Sequence, residues 1–473
     1  MIIAILIAWP LLMGIIALLR PQWARGVGIW GAALELVLAL LTLGAYSLGI
    51  PTEMQAPLLA QAGIYFALAL DGASVILILT AAITTLLAIL VAREAPRGMF
   101  GMSLLMLAGL VGIFTSQDLV LFYFFFEATL IPSLLMLGLY GGAGRLQALL
   151  KFALFTLVGS LLMLASILSL RFLSGAESFL LTDLLAAPIS GSAAAWVFAG
   201  FLLAFFVKAP LFPLHAWLPD FHAENHPSGL ADAMGTLYKV GLFGMFRFAL
   251  PLFPETFAAW QPVLLGLAAF TALYAAWIAY SQTDWKRLLA YGSLSHIGLA
   301  ALGLFSGTWE GALGAIFLLA ASGIYTGGLF LFVGMLHSRF GSTEIAVTQG
   351  LLRHTPALGA FALILILAMV GLPGLAGFPG ELMSLLGAWQ VSPLWTAVGF
   401  LAVIASAAYA LSAYQKVFHG PPAEPSIDLS RAEWNFAGLA TVFIVLIGVY
   451  PKLMSGVIEP SARAFAGLVG GGL

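Results

Sequence analysis

Four ionisable side chains stand inside apolar runs of this sequence. They are Glu127 after Phe122-Tyr123-Phe124-Phe125-Phe126, Lys208 before Ala209-Pro210, Lys239 in Leu237-Tyr238-Lys239-Val240, and Glu381 after Gly377-Phe378-Pro379-Gly380. A charge in an apolar medium costs several kcal/mol, so each marks a functional site unless a partner neutralises it. Burial favours a neutral lysine and a nearby carboxylate favours a charged one, so moving the carboxylate switches the proton affinity. The residue types therefore predict proton transfer, with Glu127 and Lys208 as a switchable pair, Lys239 as the onward acceptor and Glu381 as the delivering group. The competing reading is a static buried ion pair that only fixes helix packing.

Lesser candidates surround these four. Asp232 lies seven residues before Lys239, on the same helix face, and is expected either at an inner mouth or as a helix cap. His296, in Ser293-Leu294-Ser295-His296, is placed to relay protons with Tyr291, Ser293 and Ser295, or to pack as a satisfied core histidine. His215, His222, Glu224 and His226 fall in a Pro-interrupted run that lacks the helical spacing of two metal-binding histidines. They read better as polar groups at an inner proton intake. Glu35 is apolar-flanked but has no break or companion charge, which favours a structural role. With no Cys, no facing intramembrane His pair and no Walker A or G-x-G-x-x-G run, no cofactor, metal or nucleotide is expected on this chain.

Elements able to hold such groups follow from composition. Of 473 residues, 62% are hydrophobic and 8% charged, against about 25% charged in soluble domains, which excludes a soluble enzyme. A net charge of −2 excludes the basic field that nucleic acid or anionic lipid would require. Runs long enough to span a bilayer, about 20 residues, number about fourteen: 1–19, 25–48, 72–92, 98–116, 118–140, 147–170, 193–213, 228–250, 256–280, 285–305, 310–336, 356–385, 392–415 and 436–452. The fold class is all-α, a polytopic transmembrane bundle; the alternating segments of a β-barrel are lacking. Residues 1–19 read as a first span and not as a removed signal.

Cation placement gives an orientation. Arg20, Arg25, Arg93, Arg97, Arg145, Lys151, Lys286, Arg287, Arg339, Arg353, Lys416 and Arg431 fall in connections on one side, against Arg171, Arg247, Lys452 and Arg463 on the other. The richer side is expected inside, which puts both termini outside. Two spans are interrupted, the seventh by Lys208-Ala209-Pro210-Leu211-Phe212-Pro213 and the twelfth by Gly371-Leu372-Pro373-Gly374 through Glu381. Broken helices at corresponding places of two halves are the mark of inverted repeats.

These runs, together with Pro213-Leu214-His215-Ala216-Trp217-Leu218-Pro219-Asp220, Phe246-Arg247-Phe248 and Asp284-Trp285-Lys286-Arg287 through His296, resemble in order the antiporter-like subunits of respiratory complex I over roughly residues 60–450. Glu381, where relatives often place lysine, resembles the M-type members of bacterial NADH:quinone oxidoreductase. The resemblance implies a proton-translocating subunit of that enzyme, with no redox chemistry of its own, in the bacterial inner membrane. Its partners would be other membrane-arm subunits, neighbouring antiporter-like ones included, and the lipid bilayer. It implies fourteen core helices: an N-terminal region of residues 1–97 with an outer hairpin-like loop 49–71, five-helix repeats at 98–252 and 253–418, and a last span with an amphipathic segment at 419–473. It gives Glu127, Lys208, Lys239 and Glu381 as proton-transfer residues. Relatives commonly carry a histidine in the eleventh span; Ala320-Ala321-Ser322-Gly323-Ile324-Tyr325-Thr326 has none, so the relay there is expected to use Ser322, Tyr325, Thr326 and water. The competing assignments are a subunit of a related multisubunit cation/proton antiporter or membrane-bound hydrogenase, and a quinone-binding or structural scaffold.

Overall fold

A backbone surrounded by lipid must satisfy its own amides, and this chain does so almost wholly through helices. The computed structural model describes residues 2–235, 240–420 and 427–470. Helices α1 (Ile2–Leu19) and α2 (Ala24–Ser47) lead into an antiparallel hairpin of β1 (Glu53–Leu59) and β2 (Ile64–Ala69), paired from Glu53 with Ala69 to Leu59 with Ile64. Then come α3 (Gly72–Val91), α4 (Arg97–Thr115), α5 (Leu119–Ala128), α6 (Leu130–Tyr140), α7 (Arg145–Ser174), α8 (Leu181–Ala186), α9 (Gly191–Lys208) and α10 (Leu218–Glu224). Next are α11 (Leu230–Gly235), α12 (Val240–Gly244), a π-helical turn Met245–Ala249, α13 (Leu250–Leu252), α14 (Pro254–Tyr280), α15 (Trp285–Phe305) and α16 (Trp309–Phe340). The chain continues through α17 (Pro356–Met369), α18 (Gly377–Val391), α19 (Pro393–Phe418), α20 (Arg431–Val449) and α21 (Lys452–Val469).

Twelve stretches among the described residues are long and apolar enough to cross a membrane, α5 and α6 forming one of them, Leu119–Tyr140. The protein is a polytopic helical membrane bundle. Of the other two expected spans, 356–385 is split into α17 and α18, and the described parts of 228–250 are α11, α12, the π turn and the start of α13.

At the centre lies α16, buried through its spanning stretch and packed on α3, α11, α15, α18 and α21. Small residues permit this closeness: a Cβ on Gly314 of α16 would run into the Ser384 amide nitrogen of α18. The hairpin fixes one end of the bundle. Asp118 Oδ2 accepts from the Tyr65 amide at 3.0 Å, while its Oδ1 caps α5 through the amides of Val120 (2.8 Å) and Leu121 (3.1 Å). One carboxylate thus anchors both the hairpin and the helix that carries Glu127. At the same end Arg247 Nη2 pairs with Asp71 Oδ1 at 2.7 Å and donates to Ser74 Oγ at 2.9 Å, tying the π turn to the start of α3.

Candidate functional site

The first half of the site forms where α9 ends. Pro210 has no N–H and Pro213 follows soon after, so the helical ladder stops and the chain turns through 209–217 before α10. The freed carbonyl of Val207 accepts from Trp217 Nε1 at 3.0 Å. Lys208, expected well inside a helix, is the last residue of α9, yet this end is internal and the side chain is 2% exposed. Its ammonium lies 3.4 Å from Thr129 Oγ1 and 4.6 Å from the ring centroid of Phe126, a cation–π contact. Glu127 and Thr129 stand at the junction of α5 and α6, and the half-buried Glu127 lies within electrostatic reach of Lys208. Lys239 lies outside the described residues. Two positions on, the Gly241 backbone presses on the α9 terminus, where a Cβ would come within 2.5 Å of the Phe205 carbonyl oxygen and 2.7 Å of the Ala209 nitrogen. Only glycine lets α12 approach this closely.

The second half forms at the break between α17 and α18. Gly371 and Gly374 adopt left-handed backbone, φ +71° and +90°, and a Cβ on Gly371 would collide with Glu381 Oε2. The carboxylate occupies the room the glycine leaves. Glu381 is 4% exposed and its Oε1 lies 3.3 Å from His296 Nδ1. Tyr325 stands edge-on to His296 with centroids 6.1 Å apart. The hydroxyls of Tyr325, Tyr409 and Ser384 and the His296 Nε2 are buried with no hydrogen-bond partner among the described residues. Buried polar atoms in such number cluster around the Glu381–His296 contact. Ser322 donates to Leu319 O of its own helix at 3.2 Å.

The remaining candidates separate. Asp232 receives no backbone N–H among the described residues: it is fully buried in the first turn of α11, with His222 Nδ1 at 3.0 Å and Asn225 Nδ2 at 2.9 Å from Oδ1, and Lys286 Nζ at 2.8 Å from Oδ2. Lys286, counted from sequence as a surface cation, is 2% exposed and donates to the carbonyls of Asn225 (2.8 Å) and His226 (3.4 Å). Its burial is set by α10 and α11 folding over the start of α15, which the run Asp284-Trp285-Lys286-Arg287 does not announce. Glu224 receives the Gly144 amide at 2.8 Å, and His226 Nδ1 accepts from the Ser228 amide at 3.2 Å. The four residues 215, 222, 224 and 226 therefore serve different neighbours. His215 is buried against Phe212 and Tyr274. Both oxygens of the fully buried Glu35 lack a hydrogen-bond partner among the described residues.

Beside Lys286, Arg287 and Lys151 share Asp220, at 3.0 Å and 2.7 Å. Burial alone would raise the Asp220 carboxyl, but these two cations outweigh it and hold it below the ordinary carboxylate value. Burial, helped by Lys286 and His337 against the pull of Asp232, holds the His226 imidazole below its ordinary value.

Residues 116–406 match the family described as NADH:quinone oxidoreductase/Mrp antiporter, TM. The chain is 56% identical over 463 residues to NADH-quinone oxidoreductase subunit 13 of Thermus thermophilus, covering 98% of each. It belongs to this family, among the M-type members. NADH-quinone oxidoreductase subunit M of Escherichia coli is 33% identical over 457 residues, 91% of this chain and 90% of that one. Among solved structures, a chain of respiratory complex I from Thermus thermophilus with bound NADH superposes with a TM-score of 0.94 at 54% identity, covering 99% of this chain and all of that one.

Proposed function

We propose that the protein is a proton-translocating subunit of the membrane arm of a bacterial NADH:quinone oxidoreductase, driven by quinone reduction in other subunits. The observation that carries this reading is that each helix break holds a buried charge, Lys208 at the first and Glu381 at the second, and that the second touches a titratable partner, His296. Glu127, close enough to act on Lys208 and next to the α5–α6 junction, supplies the movable negative charge. As it approaches, Lys208 holds its proton; as it withdraws, burial releases that proton toward Lys239. From there His296, Tyr325, Ser322 and water carry it to Glu381. Each charge moved against the membrane potential costs about 2.3 kcal/mol per 100 mV, so the drive comes from adjoining membrane-arm subunits, antiporter-like neighbours among them.

In this reading the chain has fourteen spans, with repeats at 98–252 and 253–418, and sits in the inner membrane with both termini outside. Asp232 and His215 then lie toward the inner side, where protons enter. The test is proton pumping by vesicles carrying assembled complex with Glu127→Gln. Pumping is expected to fall with assembly intact; parental pumping removes Glu127 from the path.

A further inference from the structure

Two carboxylates of the first half of the chain are held by two consecutive cations of the second. Asp220 takes Arg287 and Asp232 takes Lys286, and both cations open α15. Ten residues later, about 15 Å along the axis, the same helix carries His296 against Glu381. The Asp232–Lys286 pair is sealed: Asp232 Oδ1 is taken by His222 and Asn225, Oδ2 by Lys286, and the ammonium also by the Asn225 and His226 carbonyls. Next to it the end of the bundle opposite the hairpin is hollow. A cavity of about 270 Å³ is lined by Arg93, Glu94, Ser228, Gly334, Arg339 and Glu433. Ser228 joins this cavity to the pair, since its amide donates to His226, whose carbonyl receives Lys286.

We infer that this cavity admits protons and that the Asp232–Lys286 ion pair is its gate. While the pair is closed, each Asp232 oxygen lies within 3.0 Å of a nitrogen, Oδ1 of His222 and Asn225 and Oδ2 of Lys286, and a proton gains little there. When Lys286 moves fully onto the Asn225 and His226 carbonyls, Asp232 Oδ2 is open, takes a proton from cavity water and passes it on into the bundle. Because α15 holds both Lys286 and His296, one displacement of that helix acts on intake and on the Glu381 end together. The assignment rests on the proton-path reading above.

The decisive variant removes both charges, Asp232→Asn with Lys286→Met, which leaves no unpaired charge buried and preserves the packing volume. In vesicles with matched amounts of assembled complex, pumping is expected to fall about ten-fold or more. A purely structural pair predicts parental pumping, and that result overturns the gate. Glu127→Gln is measured alongside: its loss of pumping with a parental double variant overturns the gate alone, and parental pumping in both overturns the proton path as well. Should the double variant not assemble, Ser338→Trp at the exposed cavity rim decides. Slowed pumping supports the intake, and parental pumping overturns it.

Discussion

Glu381 Oε1 lies 3.3 Å from His296 Nδ1 although one residue opens the second half of a broken helix and the other lies mid-way along a different helix, α15. Both side chains are nearly inaccessible to solvent. The carboxylate and the imidazole are in ion-pair range, and the pair sits beside the buried hydroxyls of Tyr325, Tyr409 and Ser384.

This relation predicts unequal losses. Glu381→Gln keeps the shape but removes the titrating group, so proton pumping by the assembled complex falls about a hundred-fold or more. His296→Gln leaves the Glu381 carboxyl group in place and costs less, about ten-fold. Pumping rates per assembled complex in vesicles check the order; a larger loss for the histidine variant than for the glutamate variant contradicts it.

Gly371 makes room for that carboxylate. Gly371→Ala places a Cβ against Glu381 Oε2 and strains a left-handed backbone position. The left-handed backbone costs about 1–2 kcal/mol, so pumping is compared per assembled complex. Pumping by the variant is reduced because the carboxylate is pushed from His296. Full pumping in Gly371→Ala would show that Glu381 need not hold this position.

At the end opposite the hairpin, Asp220 predicts a pH dependence of stability. Its folded-state value is lowered by Lys151 and Arg287, so its contribution is present above the unfolded carboxylate value, near 4, and is lost as pH falls through the lower folded value. The gap in melting temperature between parent and Asp220→Asn, measured in detergent, is therefore open at pH 7 and closes below about pH 4. A gap that widens toward acid contradicts the assignment.

Much of this arrangement was legible because the physics is one-dimensional. Bilayer thickness sets helix length, so the spans announce themselves as apolar runs, and Pro and Gly clusters announce the interruptions after Lys208 and before Glu381. Lys208 and Glu381 stood out because a charge in such a run is costly wherever the helices pack. Lys286 did not, since two residues after the N-cap Asp284 it looks like any surface cation; only the folding of α10 and α11 over it makes it internal. The contact of His296 with Glu381 was equally hidden, because 85 positions separate them along the chain and only packing brings them together. The π turn at Met245–Ala249 and the junction at Thr129 carry no distinct composition and emerge from packing alone.

The central claim is that Lys208 works by releasing its proton, and an arginine in its place tests that most directly. Arginine keeps the positive charge and the stacking on Phe126 but does not deprotonate in a protein. In vesicles with matched assembled complex, Lys208→Arg is predicted to assemble and to pump as poorly as Lys208→Met. Parental pumping by Lys208→Arg would mean that only the static charge matters, which would contradict the account.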